Sequence, residues 1–182
     1  MTFLENESSA DSLPVGNAPK PLEAAWFPSR LHAFVWRNWS LVTFQKMADV
    51  VGATPEDIAE LGQSMGLKPS RGLTIDQLRR AHLTIIRRNW HILPYEQLLT
   101  LLGWTAEHMA YTLREDDFFY VKLGLLKPKC EPLHWTVPTA EQSKRAKEIA
   151  ELVVKHFPEG ELEGKEPLFT GTKACDARGE LV

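Results

Sequence analysis

Apolar residues recur at three- and four-residue spacing through most of the chain, as they do in helices that bury one face. Leu31, Phe34, Val35 and Trp39 form one such stripe and predict a helix that opens at Pro28-Ser29 and runs to about Trp39. Phe44, Met47, Ala48 and Val51 predict a second helix over about 43–51. Gly52 supplies the left-handed backbone that ends a helix and permits a sharp turn. Thr54-Pro55-Glu56-Asp57 then starts a third, with Thr54 as N-cap, Pro55 at the first helical position and acids in the first turn. That helix buries Ile58, Leu61 and Met65 and stops near Gly66. Beyond a loop over 68–72, Thr74-x-x-Gln77 reads as a capping box for a long helix to about Trp90. Its inner stripe is Ile75, Leu78, His82, Ile86 and Trp90.

The pattern then comes back. Arg37-Asn38-Trp39 is matched fifty-one positions later by Arg88-Asn89-Trp90, Gly52 by Gly103 and Thr54 by Thr105, without a gap. Apolar positions match in kind: Met47 with Leu98, Val50 with Leu101, Ile58 with Met109. An internal repeat of this length implies two copies of one structural unit. Each copy is read as three helices: a lead helix ending in the Arg-Asn-Trp signature, a second ending at the glycine, and a third capped by the threonine. The signature is expected to pin the fold, with Trp in the core, Asn capping the lead helix or bonding the next turn, and Arg complementing the helix dipole.

The fold class expected is therefore mainly α, two fused three-helix helix-turn-helix-like units with a further C-terminal helix. Residues 1–22 are polar and are read as a disordered leader. Unit one spans 23–72, and unit two spans 73–137 with an extended C-terminal segment carrying Pro128 and Pro132. Residues 138–182 hold one helix, capped by Thr139-x-x-Gln142 with Ile149, Leu152, Val153 and His156 on one side, and a polar tail. The run Phe118 to Leu123 suits a strand or a helix equally.

Composition narrows the function classes. A net charge of −3 over 182 residues does not advertise nucleic acid or anionic lipid, and the middle of the chain is nearly neutral. No apolar run is long enough to span a bilayer. Two cysteines make no disulfide framework, which favours a reducing, cytoplasmic setting. Cys130, His134 and Cys175 supply three zinc-type ligands but no fourth, so no metal or cofactor is expected.

Helix, glycine turn and capped helix resemble the helix-turn-helix superfamily over about twenty residues in each unit, which implies a possible reader of DNA. Readers place Arg, Lys, Asn or Gln at the start of the second helix of that motif. Here Thr54, Pro55, Glu56 and Asp57, and then Thr105, Ala106 and Glu107, stand there. Carboxylates at that place repel phosphate. The basic residues lie instead on the long helix: Arg79, Arg80, Arg87 and Arg88 form a candidate surface for an anionic ligand or partner. A solvated helix face is the plainer reading of them.

No nucleophile–base set or phosphate loop is present. Glu115-Asp116-Asp117 followed by aromatics hints at sugar chemistry, but adjacent carboxylates do not straddle a substrate. The repeated Arg-Asn-Trp, Arg114-Glu115-Asp116-Asp117-Phe118 and Lys122-Leu123-Gly124-x-x-Lys127-Pro128-x-Cys130 together resemble the N-terminal region of large uncharacterised bacterial proteins that continue into a glycoside-hydrolase-like domain. The resemblance covers about residues 24–135 and implies a non-catalytic accessory module whose partner is another domain or protein. The alternative is a DNA-associated regulator that uses the basic helix around 79–88.

Overall fold

Six hydroxyl N-caps start the helices. Ser29, Thr43, Thr54, Thr74, Thr105 and Thr139 each accept a hydrogen bond from the backbone N–H three residues on, which satisfies a donor the helix itself leaves unpaired. At Thr54 the box closes with Asp57, whose carboxylate accepts from the Thr54 N–H and is held below the usual carboxylate range by those bonds. The computed structural model describes residues 10, 13–14, 20–68, 73–116, 118–125 and 127–157, with Ile75 and Leu78 described by backbone alone.

Among these residues eight helices and no strand occur: α1 (Arg30–Asn38), α2 (Phe44–Val51), α3 (Pro55–Ser64), α4 (Ile75–Asn89), α5 (Tyr95–Leu102), α6 (Ala106–Glu115), α7 (Phe119–Lys122) and α8 (Ala140–His156). The protein is mainly α, as the periodicity implies. Gly52 and Gly103 end α2 and α5 at φ +72° and +67°, the left-handed region that costs a side chain dearly. None of the helices is long and apolar enough to cross a membrane.

The two units face each other across a pseudo-two-fold axis, α1 against α4 and α2 against α5. Contacts across it are reciprocal, as an isologous interface requires. Asn38 and Asn89 exchange side-chain amide bonds of 2.9 and 2.8 Å, and both residues are fully buried. Each also donates to the carbonyl four residues back, Asn38 to Phe34 and Asn89 to Ile85. Arg37 donates to the Arg88 carbonyl and Arg88 to the Arg37 carbonyl, at 3.1 and 2.7 Å. The signature is a two-fold clasp. Its Asn bonds the last turn of its own helix, as expected, and both Asn and Arg also reach across to the other unit, which the local reading does not include.

The units differ where their sequences differ. The ring of Trp39 lies against Gly62 and donates to the Lys68 carbonyl. At the matching place of unit two stands buried Leu113, and Trp90 packs instead against Tyr95 and Tyr120. Small, buried Ala48 lets α2 pack closely on α3, whereas α5 and α6, with Leu99 at that position, make fewer close approaches. Met65 of unit one is covered by α8 through Ala146 and Ile149, while its counterpart, Asp116, is polar and offers no such seat.

Several expectations are corrected. Leu13, within the segment 1–22 read as a disordered leader, is buried in the main core, and the Pro14 carbonyl accepts from Tyr95; residues 1–9, 11–12 and 15–19 of that segment lie outside the described residues. His82 is not a core residue but sits half-exposed at the edge of α4. On α8 the buried positions are Ala146 and Ile149, and Leu152 and His156 are exposed. The run Phe118 to Leu123, open between strand and helix in the sequence, holds the single helical turn α7 between the caps Phe118 and Leu123. The loop residues 69–72 and the polar tail from 158 lie outside the described residues.

Candidate functional site

Two surfaces flank the two-fold axis, one covered and one open. On the covered side, residues 127–137 run without regular secondary structure across the α4–α5 corner and over α5 toward the end of α2. Lys127 starts this strap. It is 1% exposed, and its ammonium donates to the Trp90 and Leu93 carbonyls at 2.8 and 2.6 Å. The same ammonium lies 5.4 and 5.7 Å from the Trp90 and Tyr95 ring centres, a cation–π arrangement. Burial pulls the Lys127 pKa below the lysine range, and Cys130 and Glu96 oppose that shift.

Further along, Gln97 clamps the strap backbone. Its Oε1 accepts from the Leu133 N–H at 2.8 Å, and its Nε2 donates to the Leu133 and Val50 carbonyls at 2.6 and 2.8 Å. The Trp135 N–H then donates to the Val51 carbonyl, the last of α2, at 2.8 Å. A free helix-end carbonyl is thereby satisfied.

The open side carries a groove of about 970 Å³ between the α1–α2 corner and α6. Leu41, Val42, Leu73, Ile85, Leu101 and Leu102 give it an apolar floor. Its wall is formed by Trp104, just ahead of the Thr105 cap, and by His108, Tyr111 and Glu115 on one face of α6. Trp104 and His108 stack at 4.0 Å between ring centres, and Tyr111 is 61% exposed. Concave, mostly apolar surface with a few polar groups is the usual form of a binding site.

His82 stands at the rim, 3.3 Å from Asp116 through Nε2 and 3.2 Å from the Arg79 carbonyl through Nδ1. Both ring nitrogens therefore lie within hydrogen-bond distance of an oxygen of this chain. Among the described residues no three His, Cys, Asp or Glu side chains converge as metal ligands. Cys130 is buried beside Lys127, at 3.4 Å, and His134 is exposed. Cys175 lies outside the described residues.

The four arginines singled out on the long helix are divided. Arg79 lines the groove with Asp76 at 4.0 Å. Arg80 borders a neighbouring recess of about 350 Å³. Arg87 is exposed, and Arg88 spends its guanidinium on the clasp. The wall of the groove was missed because its histidines look scattered along the chain. The spacing of His108 and Tyr111 on one helix, with Trp104 just before its Thr105 cap, is the signal that marks them.

No family model matches the chain, and neither curated proteins nor solved structures give a match.

Proposed function

We propose that this protein is a non-catalytic helical interaction module that holds a segment of a partner polypeptide, another domain or protein, in the groove beside the two-fold axis. The observation that carries the reading is the pairing of an apolar floor with a half-exposed aromatic wall on α6. Aromatic residues are enriched where proteins bind one another. The division of the four arginines gives no specific support to a nucleic-acid partner.

The test is selection of random displayed peptides on the immobilised protein, followed by counter-selection on the exposed-site variant Tyr111→Ala. Enriched peptides that bind Tyr111→Ala at least about tenfold more weakly support the reading; tenfold is a loss of about 1.4 kcal/mol. Failure to enrich, or equal binding to both proteins, overturns it. So does tight binding of a duplex DNA with a steep salt slope that is lost in an Arg80→Ala, Arg87→Ala variant.

A further inference from the structure

The open groove and the strap site are the same place on the two halves of the molecule. Shifting each strap contact by the fifty-one-residue repeat gives Trp39 for Trp90, Val42 for Leu93, Phe44 for Tyr95, Lys46 for Gln97, Leu101 for Val50 and Leu102 for Val51. All six of these residues line the groove. The backbone at the two corners also matches. The Asn38 carbonyl accepts from Leu41 and Val42 N–H at 2.9 and 3.0 Å, and the Asn89 carbonyl accepts from Ile92 and Leu93 N–H at 2.9 and 3.0 Å.

On the groove side no counterpart of the strap occurs among the described residues. Among the described residues nothing donates to the Trp39, Val42 or Leu102 carbonyls. Their counterparts take the Lys127 ammonium and the Trp135 N–H. The helix-end carbonyls of α1 therefore present partial negative charge beside the rings of Trp39 and Phe44, with no cation among the described residues on them. One position departs from the repeat. Gln97 both donates and accepts, and so grips a whole peptide unit; Lys46 only donates.

We infer that the groove takes an extended peptide segment of the partner that repeats the strap's chemistry. This rests on the reading of the groove as a polypeptide-binding site and adds the identity of the segment. A lysine or arginine seats on the Trp39 and Val42 carbonyls. About six residues on, an apolar residue lies over Lys46, whose ammonium bonds the peptide carbonyl. A backbone N–H two residues later reaches the Leu102 carbonyl. The segment is taken as extended because the strap itself covers the matching span, Lys127 to Trp135, without helix.

The chain supplies its own probe, a synthetic peptide of residues 127–137 carrying C130S. Fluorescence anisotropy of the labelled peptide is expected to report binding to the whole protein, about tenfold tighter to Lys46→Gln, which restores the acceptor of the clamp. Binding is expected to fall about tenfold with the peptide carrying K127M, and in the protein variant Lys46→Glu. Lys46 is exposed, so these protein variants keep the core intact. Equal affinity of the native-lysine and K127M peptides, or no gain in Lys46→Gln, overturns the inference. If that happens while displayed peptides of other character still depend on Tyr111, the binding-module reading stands and only the identity of its segment falls.

Discussion

Asn38 and Asn89, fifty-one residues apart, hold each other by two amide hydrogen bonds at the buried centre of the molecule. Each amide also spends its second N–H on its own helix, so both donors of both residues are satisfied. Buried polar pairs of this kind fix register: a slip of either unit would leave amides unpaired in an apolar interior. The clasp therefore explains why the repeat keeps its most polar residue at its most buried point.

A double-mutant cycle measures the clasp. Asn38→Leu alone should destabilise by about 2–3 kcal/mol, because it orphans groups of Asn89 that stay buried. Replacing both asparagines by leucine should cost less than the sum of the two single changes, with a coupling of about 1–3 kcal/mol. Urea denaturation of the four proteins checks this, and additive effects would show that the two amides do not depend on each other.

The tryptophans of the signature are core residues reached in different ways. Trp39→Ala and Trp90→Ala should each cost about 3–5 kcal/mol. Gly62→Ala separates the two. Such a change inside a helix ordinarily stabilises by about 1 kcal/mol, but here the added methyl meets the Trp39 ring, which is tied to the Lys68 carbonyl. The expected outcome is a loss of about 1–3 kcal/mol, with changed tryptophan emission as the ring is pushed toward the groove. An unchanged or raised melting temperature would place the ring elsewhere.

His32 should make the fold sensitive to mild acid. It is 1% exposed, bonded through Nδ1 to Ser29 Oγ, and its Nε2 has no partner. Burial lowers its pKa to about 4 from 6.5. The unfolded chain therefore binds the proton first. Stability from this group is complete above about pH 6.5 and falls as the pH drops toward 4, by about 3 kcal/mol in all. His91, shifted down by burial and by the charges of Lys127 and Arg37, adds to the slope with the same sign. Denaturation midpoints from pH 4 to 7 should fall steeply for the native protein and less steeply for His32→Leu, which places there the residue type of the matching position Leu83. Parallel curves would show that His32 is protonated in the fold.

Much of the helical layout follows from short-range chemistry. A hydroxyl three residues before a glutamine, aspartate or free N–H, or a glycine after an apolar stripe, acts within one turn, so its effect can be read wherever it occurs. Thr54, Thr74, Thr139, Gly52 and Gly103 are legible in this way, and so is the offset that pairs Asn38 with Asn89. The groove wall is half legible, since His108 and Tyr111 share a helix face with Trp104 just before its cap, but nothing local says what that face looks onto.

Tertiary structure decided the rest. Asn38 looks like a helix cap to its neighbours, and only the approach of α1 to α4 turns it toward Asn89. Lys127 looks like a solvated lysine, yet the Trp90 and Leu93 carbonyls draw it inside because a helix end needs donors and the strap brings one. The sequence by itself determined two similar units and the ends of their helices. Packing determined that the chain's own strap lies on the Trp90–Gln97 corner, because Gln97 both accepts from and donates to the Leu133 backbone, and that among the described residues no segment lies on the matching Trp39–Lys46 corner.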